Sequence, residues 1–463
     1  MNIKRWSLLV FCISVSMSYA QKLTMGQALE YAAQNFSLVK VKEANLKSVQ
    51  HLVTASKQEY FPDLTFGAQQ TYGTINAQHG PLYAYGGLGS AATSMPMAEQ
   101  SWNAAFGALY FANVNWTIFS FGKARASVEL AKQKAAVRLE DLNQEIFQLK
   151  IKVGAAYLNL LAAQRIEYIQ EKNLSRAKVF YSATTAKSQA GLVAQADQQQ
   201  AQAEVAYAEA LYLKASDKVL FYQKQLAVFL EEKTKEYILD DVFVLQPPLV
   251  LQEKQIDVES HPMIVYQQRK IRQAAEEEKL VSRASLPMIN AFGVIQGRGS
   301  GFDWNYTSDP TAFSRSYSKG VGIDRTNYLI GLSFKWNVTD FVSSLSRQKA
   351  ITAQVNSLTH QYDGMVNELE NKRQLTADQF IHAQRVKQQS EIALKATKQV
   401  YDQYKALYDN GLKDVVDFTQ ALYGLHKAEI DHEIAQNNVW QALLYQAAAK
   451  GDIDYFLNAI PKT

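Results

Sequence analysis

Cysteine is almost missing from this chain: among 463 residues there is one, Cys12. It lies in an apolar stretch near the start. Residues 1–20 read as a secretory signal peptide, with Lys4 and Arg5 as the basic start, Leu8 to Val15 as the apolar core and Ser18-Tyr19-Ala20 before the cleavage point. A chain cut before Gln21 would have no thiol, which excludes disulfides, a lipid-bearing cysteine and cysteine-based metal sites. An excess of one charge is also lacking. The formal net charge is only +4, and Lys4 and Arg5 contribute to it. No basic patch of the kind nucleic acid demands stands out. After Gln21 no apolar run is long enough for a transmembrane helix. Histidine is sparse: His426 and His432 lie off one helical face, and no His/Glu pair has zinc-protease spacing. Gly87-Leu88-Gly89 and Gly297-Arg298-Gly299-Ser300-Gly301 superficially resemble nucleotide loops, but neither opens a helix or carries Lys followed by Ser or Thr. No nucleophile stands beside a base in any pattern the sequence supports. We expect no enzyme, no cofactor, no metal and no nucleic-acid partner.

Proline is absent from Met97 to Gln246 and from Thr311 to Ile460, so long helices are free to run there. Between Lys123 and Ala190 the sole glycine is Gly154, and good helix formers dominate. Val128, Ala131, Ala135, Leu139, Leu142, Ile146, Leu149, Val153, Ala156, Leu160 and Ala163 recur at the coiled-coil period. A looser second stripe holds Ile351, Val355, Tyr362, Val366, Leu369 and Phe380. Each long helix is expected to end at a glycine, Gly191 or Gly411, with a second helix turning straight back. In the first hairpin that return helix carries Ala201, Ala203, Ala206, Ala208 and Ala210.

These two regions are copies of one unit. Gly191-Leu192 and Asp197 fall on Gly411-Leu412 and Asp417, and Trp116 falls on Trp336, all 220 residues apart. Pro62 falls on Pro287 at an offset of 225. The expected domains are therefore 21–245 and 246–463, each running helix, strand pair, long helical hairpin. The strands alternate apolar and polar residues. Phe106 to Ile118 and Tyr328 to Val338 have the length and pattern of tilted membrane strands, and two more follow the prolines near Leu64–Tyr72 and Met288–Gln296. Gly-, Ser-, Tyr- and Asn-rich loops join each pair. Four strands cannot close a membrane barrel, so a membrane reading requires several copies. The alternative is a coiled-coil surface or structural protein without a pore.

On the duplicated order of elements, the Pro62 and Pro287 joints, the passages from Trp116 to Gly122 and from Trp336 to Phe341, and the paired Gly-Leu tips, the chain resembles the TolC family of outer-membrane efflux proteins. The resemblance implies a mainly α fold with a β-barrel part: a homotrimer with a twelve-stranded barrel in outer-membrane lipid and an α-helical tunnel crossing the periplasm. It implies a passive exit duct of a tripartite efflux or type I secretion system, joined by a periplasmic adaptor to an inner-membrane pump of RND or ABC type. Gly191, Leu192, Gly411 and Leu412 would form the adaptor-docking tips. Asp197, Tyr408, Lys413 and Asp417 would form the entrance gate, held shut by polar contacts among Asp197, Tyr408 and Lys413. Trp116 and Trp336 would mark the membrane interface. The sequence departs from the family at Gln420, where a second acidic residue is expected, and adds Asp414.

Overall fold

The computed structural model describes residues 22–77, 95–233, 236–249 and 256–461. The expected signal peptide with Cys12 and the Gly87-Leu88-Gly89 segment lie outside the described residues. Chain order runs α1 (Met25–Asn35), α2 (Ser37–Gln58), β1 (Asp63–Thr74), β2 (Ala104–Phe119), α3 (Lys123–Gln189), α4 (Gln195–Leu230) and α5 (Val242–Leu245). It continues with α6 (Pro262–Ala284), β3 (Met288–Ser300), α7 (Tyr317–Val321), β4 (Arg325–Lys335), α8 (Asp340–Asp409), α9 (Val415–Lys450) and α10 (Ile453–Leu457). The described residues form two compact units, drawn from Met1–Lys47, Val137–Lys270 and Leu358–Thr463 in one and from Ser48–Ala136 and Ile271–Ser357 in the other. Each unit takes segments from both repeats.

The second unit holds the sheet, an antiparallel meander in the order β1-β2-β3-β4. Its register sorts the alternating residues onto two faces. Leu64, Val114, Gly293 and Ile330 share one row, and Phe66, Ala112, Ile295 and Tyr328 share the next but one. These rows make an apolar face, and it is exposed: Ile330 and Tyr328 are each 79% accessible. The intervening rows carry Thr65, Asn113, Gln69, Arg298 and Arg325 on the opposite face. That polar face also carries two aromatic rings. Phe111 and Phe292 lie across Gly67 and Gly331 of the neighbouring strands, in space that any Cβ would take. The connection after β3 is more ordered than a plain loop. It contains α7, packed on β2 closely enough that a Cβ on Gly320 would strike the Phe106 backbone.

The first unit holds the core. Leu149, Val153, Tyr157 and Leu160 of α3 are buried with Leu226 of α4 and with Trp440 and Leu444 of α9. The Trp440 indole N–H donates to the Phe243 carbonyl at 2.8 Å, so the largest buried side chain is also satisfied. Three departures from the sequence reading have physical causes. Leu139 falls on an exposed face, 43% accessible, where α3 has fewer partners. In α4 Ala201, Ala208 and Ala215 are buried at seven-residue spacing, with Ala227 buried further along, whereas Ala203, Ala206 and Ala210 face outward. Finally, an 18-residue window of α3 is apolar enough to cross a membrane, with a mean hydropathy of 1.2, although no such run was expected. Half of that window is buried within the protein, which accounts for its apolarity.

The two repeats close their helix joints differently. In the first, the Glu231 carboxylate accepts from the Ser37 backbone N–H and hydroxyl at the start of α2. In the second, His261 does the work at the start of α6. Its Nδ1 accepts from the Met263 N–H at 3.2 Å, and its Nε2 lies 3.1 Å from the Ala448 carbonyl. A carbonyl can only accept, so Nε2 carries the proton and the ring is held neutral. Burial, reinforced by Arg373 and Lys372, pushes the His261 pKa below its ordinary 6.5. Burial also lowers that of His426, whose Nε2 meets Gln170 Oε1 at 2.9 Å with Arg176 nearby. A folded-state pKa lowered in this way means that the unfolded chain takes up protons first. Stability is therefore intact above pH 6.5 and falls as pH drops below it. Melting temperature of detergent-extracted protein should decline from neutral pH towards pH 5 (about one to two units, the range histidines sense), and His426→Gln should flatten that decline. An unchanged slope would contradict the assignment.

Candidate functional site

The two hairpin tips lie in the first unit and are built alike. Gly191 and Gly411 both adopt φ +73°, a conformation that costs an L-residue energy and glycine little. Just beyond, Leu192 N–H donates to the Lys187 carbonyl and Leu412 N–H to the Leu407 carbonyl, each at 2.9 Å. These bonds close the long helices α3 and α8 in the glycine-terminated pattern. Leu192 and Leu412 then project into solvent, 73% and 70% accessible.

The carboxylates near the tips do different things. Asp197, in the first turn of α4, accepts from the Ala194 N–H at 3.2 Å, as a helix-start carboxylate does. In the second tip Asp414 takes the capping role, accepting from the Asp417 N–H at 2.8 Å. This leaves the Asp417 carboxylate to accept from Lys413 Nζ at 2.7 Å. The hydrogen bond to Asp417, with its charge, raises the Lys413 pKa further above its usual range. Lys413 also sits 5.3 Å from the Tyr404 ring centroid. The extra aspartate in the sequence thus has a structural job, and it frees its neighbour for an ion pair.

Tyr408 is placed otherwise than expected. It is 4% accessible and its hydroxyl pairs with that of Thr184 at 2.9 Å. Its ring stacks on Phe418 and meets Phe180 edge-on. Lys187 lies over the same ring, 4.1 Å from its centroid, and donates to the Tyr408 carbonyl. Among the described residues no hydrogen bond joins Asp197, Tyr408 and Lys413 to one another within the chain. The expected closing contacts are therefore not made inside one copy, because each group has a nearer partner on its own helix or in the tip core. All three nevertheless line one cavity of about 640 Å³ between the tips, with Lys187, Asp409 and Asp414. Asp417 lines a smaller one of about 240 Å³ with Tyr404 and Gln420.

The residues missing from the sequence reading are Phe180, Thr184 and Lys187, which bind the first tip to the second. Their spacing, one helical face of α3, was the available signal. Below them Arg176 forks onto Glu429 and Arg165 reaches Glu433, both bridging α3 to α9.

In the sheet unit the two tryptophans share one arrangement. Trp116, near the end of β2, donates its indole N–H to the Tyr60 carbonyl at 2.8 Å. Trp336, one residue past β4, donates to the Ser285 carbonyl at 3.2 Å. Both acceptors lie two residues before the prolines Pro62 and Pro287. Each indole is about half exposed, with one polar atom satisfied by the backbone.

Residues 28–230 match the model of a family described as outer membrane efflux protein. No curated protein matches the chain. Among solved structures, the CmeC outer membrane channel of Campylobacter jejuni aligns over 92% of this chain and 85% of its own, at 14% identity and a TM-score of 0.72. The outer membrane protein VceC of Vibrio cholerae aligns over 92% and 96%, at 16% identity and 0.72. The MtrE outer membrane channel of Neisseria gonorrhoeae, in its open state, aligns over 92% and 89%, at 14% identity and 0.71. At these identities the likeness is one of fold, and it spans both repeats. Residues 28–230 thus match the outer membrane efflux protein family, and the chain through both repeats shares the fold of the outer-membrane channels.

Proposed function

We propose that this chain is one subunit of a trimeric exit duct in the outer membrane, a passive channel that receives its cargo from an inner-membrane pump through a periplasmic adaptor. The observation that carries the reading is the two-faced sheet. A face of Phe66, Ile295, Tyr328 and Ile330 left open to solvent suits lipid, and a polar opposite face suits a water-filled lumen. The sheet has four strands and two unpaired edges, and an open edge cannot face hydrocarbon. Three copies bring twelve strands, enough to close. The half-exposed Trp116 and Trp336 fit the interfacial aromatic belt. A pore-free coiled-coil rod gives no reason for such a sheet.

At the entrance, Asp417 is the residue best suited to a charged ring, since its carboxylate is partly exposed and lines a cavity. Copies of Asp417 around an axis would favour cations. Native mass measurement of detergent-extracted protein should give three copies, and planar bilayers should show single-channel steps with a cation preference. Asp417→Asn should lower that preference while leaving the copy number unchanged. A monodisperse soluble monomer would sink the reading.

A further inference from the structure

The connection between β3 and β4 folds back onto the sheet, and it does so on the apolar face. The register sets Ala68, Tyr110, Gly297 and Thr326 in one row of that face, and Gln70, Ala108 and Gly299 in the next. A strap formed by residues 317–323 lies on these rows. A Cβ on Gly299 would strike the Gly322 carbonyl, and the Ile323 side chain occupies the space above Gly297. One row further on, Phe106 meets the Tyr317 ring edge-on, 5.2 Å between centroids. A chain of hydrogen bonds ties the strap down. The Tyr317 hydroxyl donates to Gln70 Oε1 at 2.8 Å, Gln70 Nε2 donates to the Tyr110 hydroxyl oxygen at 2.9 Å, and the Tyr110 hydroxyl donates to the Val321 carbonyl at 3.3 Å. The strap therefore shares the face of Phe66, Tyr328 and Ile330, at the end of the sheet remote from Pro62 and Pro287.

Beside the strap runs a groove of about 500 Å³, within the range of about 300–1,000 Å³ usual for small-ligand sites. Its floor is made of small residues, Ala68, Ala112 and Gly297, and its walls of large ones, Phe66, Ile295 and Ile323. Ala112 stands between Phe66 and Ile295 in one row, so two bulky side chains flank a methyl group. No charged residue lines the groove. The strand N–H and C=O groups beneath it are spent in the ladder, and the Tyr110 hydroxyl is spent on Gln70 and Val321. The ligand it suits is apolar, slender and without hydrogen-bonding groups. Phe66 and Ile295 are 74% and 54% accessible, so the groove is continuous with the open apolar face and is reached sideways along it.

We propose that the groove holds one acyl chain of a lipid from the outer leaflet, with the strap as its wall. The proposal rests on the lipid-facing reading of this face given above. Within a bilayer the hydrophobic effect does not favour one apolar place over another, because lipid tails are as apolar as leucine. What favours the chain is filling: an unfilled gap between Ile323 and the small floor residues would leave its lining without contact atoms on one side. A chain seated there exchanges more slowly than the lipid around the remainder of the sheet, where no strap overhangs it.

Native mass measurement tests this directly. Protein reconstituted in vesicles of dimyristoylphosphatidylcholine is returned to detergent, and the adducts of that lipid are counted. The parent should keep about one lipid per chain. Ala112→Trp fills the floor and Ile323→Ala removes a wall; each should lower the retained lipid several-fold. Leu332→Trp is the control, because it puts the same indole on the same face outside the groove, at a position already 71% accessible; it should retain lipid like the parent. A parent that keeps no lipid would overturn the proposal. So would parent-like retention in Ala112→Trp, or an equal loss in Leu332→Trp, which would describe a general lipid annulus. A mass above three copies would mean that a second assembly covers the groove, and would overturn it too. The same spectra separate the two readings. If the protein does not enter vesicles or the copy number falls short of three, the duct itself is wrong; if it enters as three copies and the lipid counts fail, only the groove is.

Discussion

Ile330→Arg is expected to cost about 2–4 kcal/mol per copy once the sheet is in a bilayer, the usual range for a cation on the lipid face near mid-depth. Ile330 sits at the middle of β4, in register with Gly293 and through it with Val114 and Leu64. It is 79% accessible in the single chain, so no protein neighbour is displaced by the longer side chain. The cost therefore comes from the surroundings of the face rather than from packing. Asn327→Arg supplies the contrast. Asn327 is in register with Gln296, on the opposite face, where water would solvate the new charge. Unfolding in urea from lipid vesicles should show a large loss for Ile330→Arg and little change for Asn327→Arg. If the two variants lose stability alike, or neither does, the apolar face does not meet lipid. A water-exposed rod would tolerate both, because surface substitutions on a soluble protein usually change stability by no more than about 0.5 kcal/mol.

Leucine at both Gly191 and Gly411 is expected to abolish export while leaving assembled copies in the outer membrane. The two effects separate because the tips are open. A Cβ built on either glycine meets nothing within 4 Å, so no steric clash arises inside the chain. The remaining internal cost is the positive φ, about 1–2 kcal/mol per residue for an L-amino acid. That is small against a core in which Trp440, Tyr157, Leu160 and Phe456 are fully buried. What the substitution removes is close approach: bare backbone at the tip, flanked by Leu192 and Leu412, is a surface on which another protein can seat itself. Export of a fluorescent substrate by intact cells, with copy number measured alongside, tests the claim. Full export in the double variant would mean that the partner docks elsewhere.

The same physical features explain which parts of the molecule could be read in advance. Period-two alternation, proline placement and the Gly-Leu repeats are local signals, and each fixed its element. The strands near Leu64, Phe106, Met288 and Tyr328, the unbroken helix α3 and both glycine-closed tips follow from such signals. Within the site, Gly191, Leu192, Gly411 and Leu412 stand at the tips as expected, because a helix end depends on its own residues.

Partner choice was decided elsewhere. Tyr408 carries a hydroxyl on a ring, and the sequence does not say whether that hydroxyl meets Asp197 or Thr184. Phe180 and Phe418, more than two hundred residues apart, place the ring between them and so deliver the hydroxyl to Thr184. Asp414 shows the same dependence at shorter range: by capping α9 it leaves the Asp417 carboxylate to Lys413. His426 and His432, which share no helical face, turn towards different helices, one to Gln170 of α3 and the other to Ser390 of α8. The sequence by itself determined the repeated elements, their ends and the two-faced strands, since these depend on backbone propensity and side-chain period. Only the tertiary structure decided which charges pair and which rings stack, because those contacts join residues whose nearness no local pattern encodes.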